Sequence, residues 1–277
     1  MPASCGRRNS RFALLVLLSL IVRSAGAETV LSGRLEQGGL VLGQASSPAE
    51  ITLDGRPVPV EAQGRFLLGF GRDAAPGAVL EIRQGDTVET QVLTIARRAW
   101  EIQRIEGLPR EKAAPDPAAV ARIKAESEML RGLRAKTTVE PWFMTGVIRP
   151  AEGIVSGVFG SQRVYNGNPG APHSGLDIAA ATGAPVLAAA DGVVVLAVPD
   201  LFLTGQTVMI DHGLGLMSSY AHLSRLEVEP GQRVATGQRI GAIGATGLAT
   251  GAHLHWGMSW LDIRLDPESA LALLRRM

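Results

Sequence analysis

The chain has 277 residues, of which 46% are hydrophobic and 33 are glycine. That is long enough for a sizeable core and one or two domains, and it favours turns and short strands. The formal charge is +1 and Cys5 is the only cysteine, which excludes a strongly basic nucleic-acid surface and an internal disulfide framework.

In chain order, "GRRNSR" forms a basic n-region, "FALLVLLSLIV" (12–22) an apolar h-region and "AGA" (25–27) a small-residue cleavage site. Residues 1–27 therefore read as a signal peptide cleaved near Ala27. The rival reading is an uncleaved anchor, for which the apolar run is short. Cleavage removes Cys5 and the arginines at 7, 8, 11 and 23, with no acid, so the mature balance falls from +1 to −3. It also leaves no stable membrane span and implies an exported, periplasmic or cell-envelope protein.

Residues 28–97 read as a small β domain. Period-2 apolar stretches are punctuated by Asp54-Gly55 and Gly85-Asp86 steps and by "AQGRF", all hairpin chemistry. This part holds no histidine, and a spacer or binding module is its default role. Residues 98–144 read as a linker carrying a helix over 116–135. Asp116 is its N-cap, Pro117 its first helical residue, and Val120, Ile123, Met129, Leu130 and Leu133 form a partial stripe.

Residues 145–277 change texture to short glycine-bounded strands such as "GAPVLAAADGVVVLAV" and "QRVATGQRIGAIGATG", predicting an antiparallel β domain. A terminal helix follows over 266–276, opening on Asp266-Pro267. All five histidines, 173, 212, 222, 253 and 255, lie here. The fold class is mainly β throughout.

"GAHLHWG" places His253 and His255 two residues apart, so on a strand they share one face. "HSGLD" sets His173 four residues before Asp177, and "SSYAHL" places His222 late in a strand. Taken singly, an H-x-H on a strand is more often structural than metallic. With no cysteine in the mature chain, a zinc site must use nitrogen and oxygen, and two histidines plus a carboxylate is a standard catalytic set. His173, Asp177 and one of the 253/255 pair supply that count. The other imidazole is left beside the metal, where it can move a proton.

The stretches "HSGLDIAAATGAPVLAAADGVV" and "VMIDHGLGLMSSYAHLSRLEVEPGQRVATGQRIGAIGATGLATGAHLHW" resemble the lysostaphin- or LytM-type zinc metallo-endopeptidases of bacterial peptidoglycan, over about 155–268. The resemblance implies that His173, Asp177 and His255 hold one Zn²⁺ ion. It also implies that His222 and His253 are catalytic, flanking the attacking water and the scissile carbonyl, with strands framing a substrate groove. Either histidine of that pair suits the role of base. The implied partners are peptidoglycan stem peptides, with a regulatory envelope protein as a further one. Departures from the family pattern are Ala-Ala-Ala after Ile178, Ala252, Trp256 and extra residues around 199–205, the last beside a groove wall.

The remaining residues have blander readings. His212 suits a turn or a supporting role behind the ligands, and Trp142, Trp256 and Trp260 suit packing. Tyr165, Arg163 and Asn166 are weak candidates for substrate contacts. The competing function is a non-catalytic wall-binding regulator that activates another hydrolase. A third reading has residues 29–97 or the 116–135 helix covering the groove until a partner moves it.

Overall fold

The computed structural model describes residues 29–105 and 116–275; the signal-peptide reading falls outside them. No helix among the described residues is long and apolar enough to cross a membrane. The fold is mainly β.

The first half builds two small antiparallel sheets. One is ordered β1 (Val30–Gly33), β2 (Leu40–Gln44), β5 (Arg65–Gly69). The other is ordered β4 (Arg56–Val58), β3 (Glu50–Leu53), β6 (Gly77–Gln84), β7 (Thr87–Thr94). Asp54 and Gly55 join β3 to β4 with φ of 50° and 75°, the paired left-handed turn whose twist matches flanking strands. The "AQGRF" segment closes through a single bridge, Val60 to Phe66. Alternation works as expected along β6, where Ala78, Leu80 and Ile82 face inward and their neighbours face solvent.

The second half is dominated by a ten-stranded sheet. Its strands are β9 (Ile154–Gly157), β12 (Leu176–Ala179), β13 (Pro185–Leu187), β14 (Gly192–Leu201), β15 (Gly205–Gly213), β16 (Leu216–Leu226), β17 (Arg233–Val234), β18 (Arg239–Ile243), β19 (His253–Trp260) and β20 (Ile263–Leu265). The main path runs β17-β14-β15-β16-β19-β12-β9, so β9 is an edge. A terminal helix α2 spans Pro267–Leu274, with the Asp266 carboxylate accepting from the Glu268 amide.

The two halves share one core. The Ser269 hydroxyl on α2 accepts a buried hydrogen bond from the Leu40 amide at 2.9 Å. Gly69 approaches Trp260 so closely that a Cβ there would lie 2.8 Å from the tryptophan Cβ. Leu40, Phe66, Leu265 and Trp260 belong to a single buried cluster.

The 98–144 segment is more than a connector. It contributes β8 (Ile102–Ile105), which pairs in parallel with β10 (Gln162–Tyr165), itself paired with β11 (Asn168–Pro169). Trp100 pins the start of β8. The Arg72 and Arg98 guanidinium groups lie 5.4 and 4.6 Å from its ring centre, and the ring meets Phe159 edge-on at 5.7 Å. Helix α1 (Pro117–Arg134), capped by Asp116, packs Leu130 and Leu133 against Leu196, Leu201, Met209 and Met217 of the large sheet. Its Arg122 pairs with Asp200, and its Glu126 accepts from the Phe202 amide at 2.8 Å. The extra residues around 199–205 are thereby tied to α1.

Candidate metal centre

The central strands bring the predicted ligands together by register. Asp177 on β12 pairs directly with His255 on β19, and Ala179 with His253. On the other side of β19, Ala221 lies opposite His255. Alternation buries Leu254 and Trp256 in the core and turns His253 and His255 to the opposite face. His173 arrives from the loop before β12, its amide and carbonyl bonded to Ser161 and Gly160. Gly157 on β9 leaves room for the acid: a Cβ there would come 2.5 Å from Asp177 Oδ2.

Three donor atoms meet in a near-equilateral triangle. His173 Nε2 lies 3.0 Å from Asp177 Oδ1 and 3.0 Å from His255 Nδ1, and His255 Nδ1 lies 2.9 Å from Asp177 Oδ1. His173 Nδ1 is 3.0 Å from the Val158 carbonyl. A carbonyl only accepts, so Nδ1 carries the hydrogen and the neutral ring turns a lone pair inward. An ion bound about 2.0–2.1 Å from tetrahedral ligands holds its donors about 3.3 Å apart. The triangle therefore fits a small metal ion after slight expansion, and the three residues are a metal-type donor set.

The electrostatics agree with cation binding. Burial works to raise the Asp177 pKa, but hydrogen bonds and charge from His173 and His255 outweigh it and hold the carboxyl well below its usual range. Burial opposes protonation of His173 too, yet the Asp177 hydrogen bond and charge raise its pKa. For His255 burial dominates and lowers the pKa. The cluster thus holds one firm negative charge between two imidazoles.

Two further histidines flank it. The His222 and His253 ring centroids are 4.7 Å apart, and His222 lies 6.2 Å from His255. His253 Nε2 is 3.9 Å from Asp177 Oδ1. The Nδ1 of His222 is 2.8 Å from the Thr246 carbonyl and that of His253 is 2.9 Å from the Gly251 carbonyl. Each Nδ1 therefore carries the hydrogen, leaving both Nε2 lone pairs for chemistry. His222 has φ +61°, a strained conformation for a non-glycine, held by its amide bonding Thr204 at 2.8 Å. Burial lowers its pKa, so it stays neutral near pH 7.

His173 and Asp177 stand in an open cleft of about 900 Å³. One wall is β9 with Val158, and the other is β8 and its approach, Glu101, Ile102 and Gln103. Both strands are sheet edges. Arg163 lines the cleft and donates to Gln103, whereas Tyr165 and Asn166 are not among the lining residues. No residue of 29–97 or of α1 is among them either. The β8 wall has no signature in the sequence, because a parallel pairing across sixty positions leaves no local mark. The carbonyls of Val158, Thr246 and Gly251 have none either, being backbone groups with no residue-type signature.

The other predicted positions resolve simply. His212 is fully buried away from the cluster, with Nδ1 2.8 Å from the Asp191 carbonyl and Nε2 2.7 Å from the Ser218 hydroxyl. Trp256 and Trp260 are core residues, and Trp142 lies beneath the Arg233 guanidinium at 4.9 Å.

Fold and site define a β protein built around a three-donor metal-type centre. Residues 171–267 match peptidase family M23, so the chain carries an M23 peptidase domain. It is 48% identical over 101 residues to peptidoglycan DD-endopeptidase ShyA of Vibrio cholerae, covering 36% of this chain and 23% of that one. The lipoprotein NlpD/LppB homolog of Pseudomonas aeruginosa is 42% identical over 98 residues, 35% of this chain and 31% of that one. The match spans less than a quarter of the first relative's length. The crystal structure of a putative M23 peptidase from Pseudomonas aeruginosa superposes with a TM-score of 0.67 at 27% identity, covering 87% of this chain and 96% of that one. That likeness extends well beyond the matched domain.

Proposed function

We propose that the protein is an exported, zinc-dependent endopeptidase that hydrolyses the peptide cross-links of peptidoglycan in the cell envelope. The observation that carries the reading is the triangle of His173 Nε2, Asp177 Oδ1 and His255 Nδ1 at 2.9–3.0 Å. The relatives named peptidoglycan DD-endopeptidase support the substrate class. The "GRRNSR…AGA" leader supports export.

His173, Asp177 and His255 would hold the ion, whose chemistry when bound is Lewis-acid polarisation of the scissile carbonyl and acidification of water. With two neutral imidazoles and one carboxylate, a bound Zn²⁺ would keep a net positive charge, which suits an anionic transition state. His222, kept neutral by burial, accepts the proton of the attacking water at Nε2. His253, its Nδ1–H held by the Gly251 carbonyl, would donate to the developing oxyanion from Nε2 in its doubly protonated form. The Thr246 and Gly251 carbonyls fix the two rings, so neither must reorient during the reaction.

A wall-binding regulator would not need all three donors and both flanking imidazoles. The test is direct. Mature protein loaded with zinc should release uncross-linked peptides from purified peptidoglycan, read by mass spectrometry, and His255→Ala should release none. Binding without cleavage by the unaltered protein would transfer the chain to the regulator class.

A further inference from the structure

Beyond the histidine cluster, on the same sheet face, the structure leaves two polar side chains without protein partners. Gly257 follows His255 by two residues on β19, so the two point the same way. A Cβ at Gly257 would meet Ser219 Oγ at 2.6 Å and Arg264 Nη1 at 3.5 Å. The Arg264 guanidinium and the Ser219 hydroxyl therefore converge over a bare glycine floor, one same-face step from the metal-type centre. Among the described residues neither makes a side-chain hydrogen bond or ion pair with protein. Arg264 is partly exposed, yet crowded enough that burial lowers its pKa, with the Arg134 charge from α1 adding to the effect. Arg134 is buried and its Nε has no partner.

The Arg134 charge acts on Arg264, which has no acid partner of its own, and an unpartnered cation is costly to hold in a crowded site. An arriving anion removes that cost. Asp262, whose charge acts on Arg134, is ion-paired with Arg56 at 2.8 Å. His255 feels the Arg264 charge, which contributes to its lowered pKa.

We infer that Arg264, with Ser219, is a carboxylate-recognition subsite for a peptide whose residue after the scissile bond carries a free α-carboxylate. The dimensions agree. Same-face neighbours on a strand stand about 6.6 Å apart. An α-carboxylate lies about 3.6 Å along the chain from the reacting carbonyl, and an arginine–carboxylate contact spans about 2.8 Å more. The missing Cβ at Gly257 makes room for the Ser219 hydroxyl and the Arg264 guanidinium beside the Ser174 carbonyl. The inference rests on the peptidase reading above and narrows its substrate to cross-links, or chain ends, with an acid beside the cut.

The experiment uses two probes, an N-acetylated peptide ending in D-alanine with a free carboxylate and the same peptide as its C-terminal amide. Calorimetric binding is measured on the full mature chain without metal, and kcat/KM on the zinc-loaded chain. The unaltered protein should prefer the acid about 10- to 100-fold in both readouts. Arg264→Gln should abolish that preference while its zinc stoichiometry and its performance on the amide stay within twofold. Arg264→Lys should restore part of it. Equal handling of acid and amide by the unaltered protein overturns the inference, whatever the variants do. Equal loss on both probes in Arg264→Gln also overturns it, since a merely structural arginine behaves so. A binding preference with no hydrolysis of either probe would sink the peptidase reading and leave the subsite standing.

Discussion

His212 on β15 and the histidines gathered around Asp177 differ in one respect. His212 has both ring nitrogens satisfied, by the Asp191 carbonyl and the Ser218 hydroxyl, in a buried chain that continues through the Tyr220 hydroxyl (2.9 Å) to the Ala189 amide (2.8 Å). His173, His222 and His253 each have one nitrogen tied to a carbonyl and the other left facing the cluster. The first arrangement uses an imidazole as a two-ended strut. The second uses the backbone to aim a lone pair. Histidine count alone would not separate them; the second nitrogen does.

The largest test of that contrast is Asp177→Ala. It removes the negative donor shared by two imidazoles, so metal stoichiometry should fall from about one to near zero. Peptidoglycan hydrolysis should fall by more than about 10³-fold, measured against plasma-emission metal analysis of the same sample. His222→Ala should cost about 10²–10⁴-fold in kcat with metal content unchanged; a loss of metal instead would make His222 a ligand. His212→Ala should do the opposite, leaving metal binding in place while lowering stability by about 1–3 kcal/mol, because Ser218 and Asp191 lose a buried partner; urea unfolding at pH 7 reads this.

The pH dependence sharpens the same contrast. Burial, partly offset by the Asp191 carbonyl and its charge, pushes His212 down from 6.5 to about 4, so the fold favours its neutral form. Stability is then complete above the unfolded value of 6.5 and is lost as pH falls toward 4, by about 3 kcal/mol at most. The urea midpoint of the unaltered protein should fall between pH 7 and 4.5 more than that of His212→Ala, and equal falls would remove His212 from the acid sensitivity. The smallest effect belongs to Asp116→Ala, which removes the α1 N-cap at about 1 kcal/mol and should appear as faster amide exchange in the first turn of α1 with kcat unmoved.

Much of the site was legible because strands have a period of two. His253 and His255 had to share a face, and the turn chemistry around Asp54-Gly55 had to make a hairpin. Asp116 and Asp266 marked helix starts because capping is local. What stayed hidden depends on distant or backbone partners. The Thr246 and Gly251 carbonyls that orient two histidines have no residue-type signature. Arg264 in "LDIRLD" reads as an ordinary solvated strand residue, and only the register of β19 against β16 and β20 sets it over Gly257 beside Ser219. β8 looked like linker because its partner, β10, lies beyond α1 in the chain.

That displaced strand has a consequence for recombination. Glu101 and β8 precede α1 in the chain, yet they furnish one side of the cleft beside His173. A chimera that exchanges the leading half for another tether would also import a foreign cleft face. Swapping what looks like a mere attachment module would therefore rewrite which ligands fit the cleft, and crossovers placed before Arg98 or after it should yield proteins of different binding selectivity.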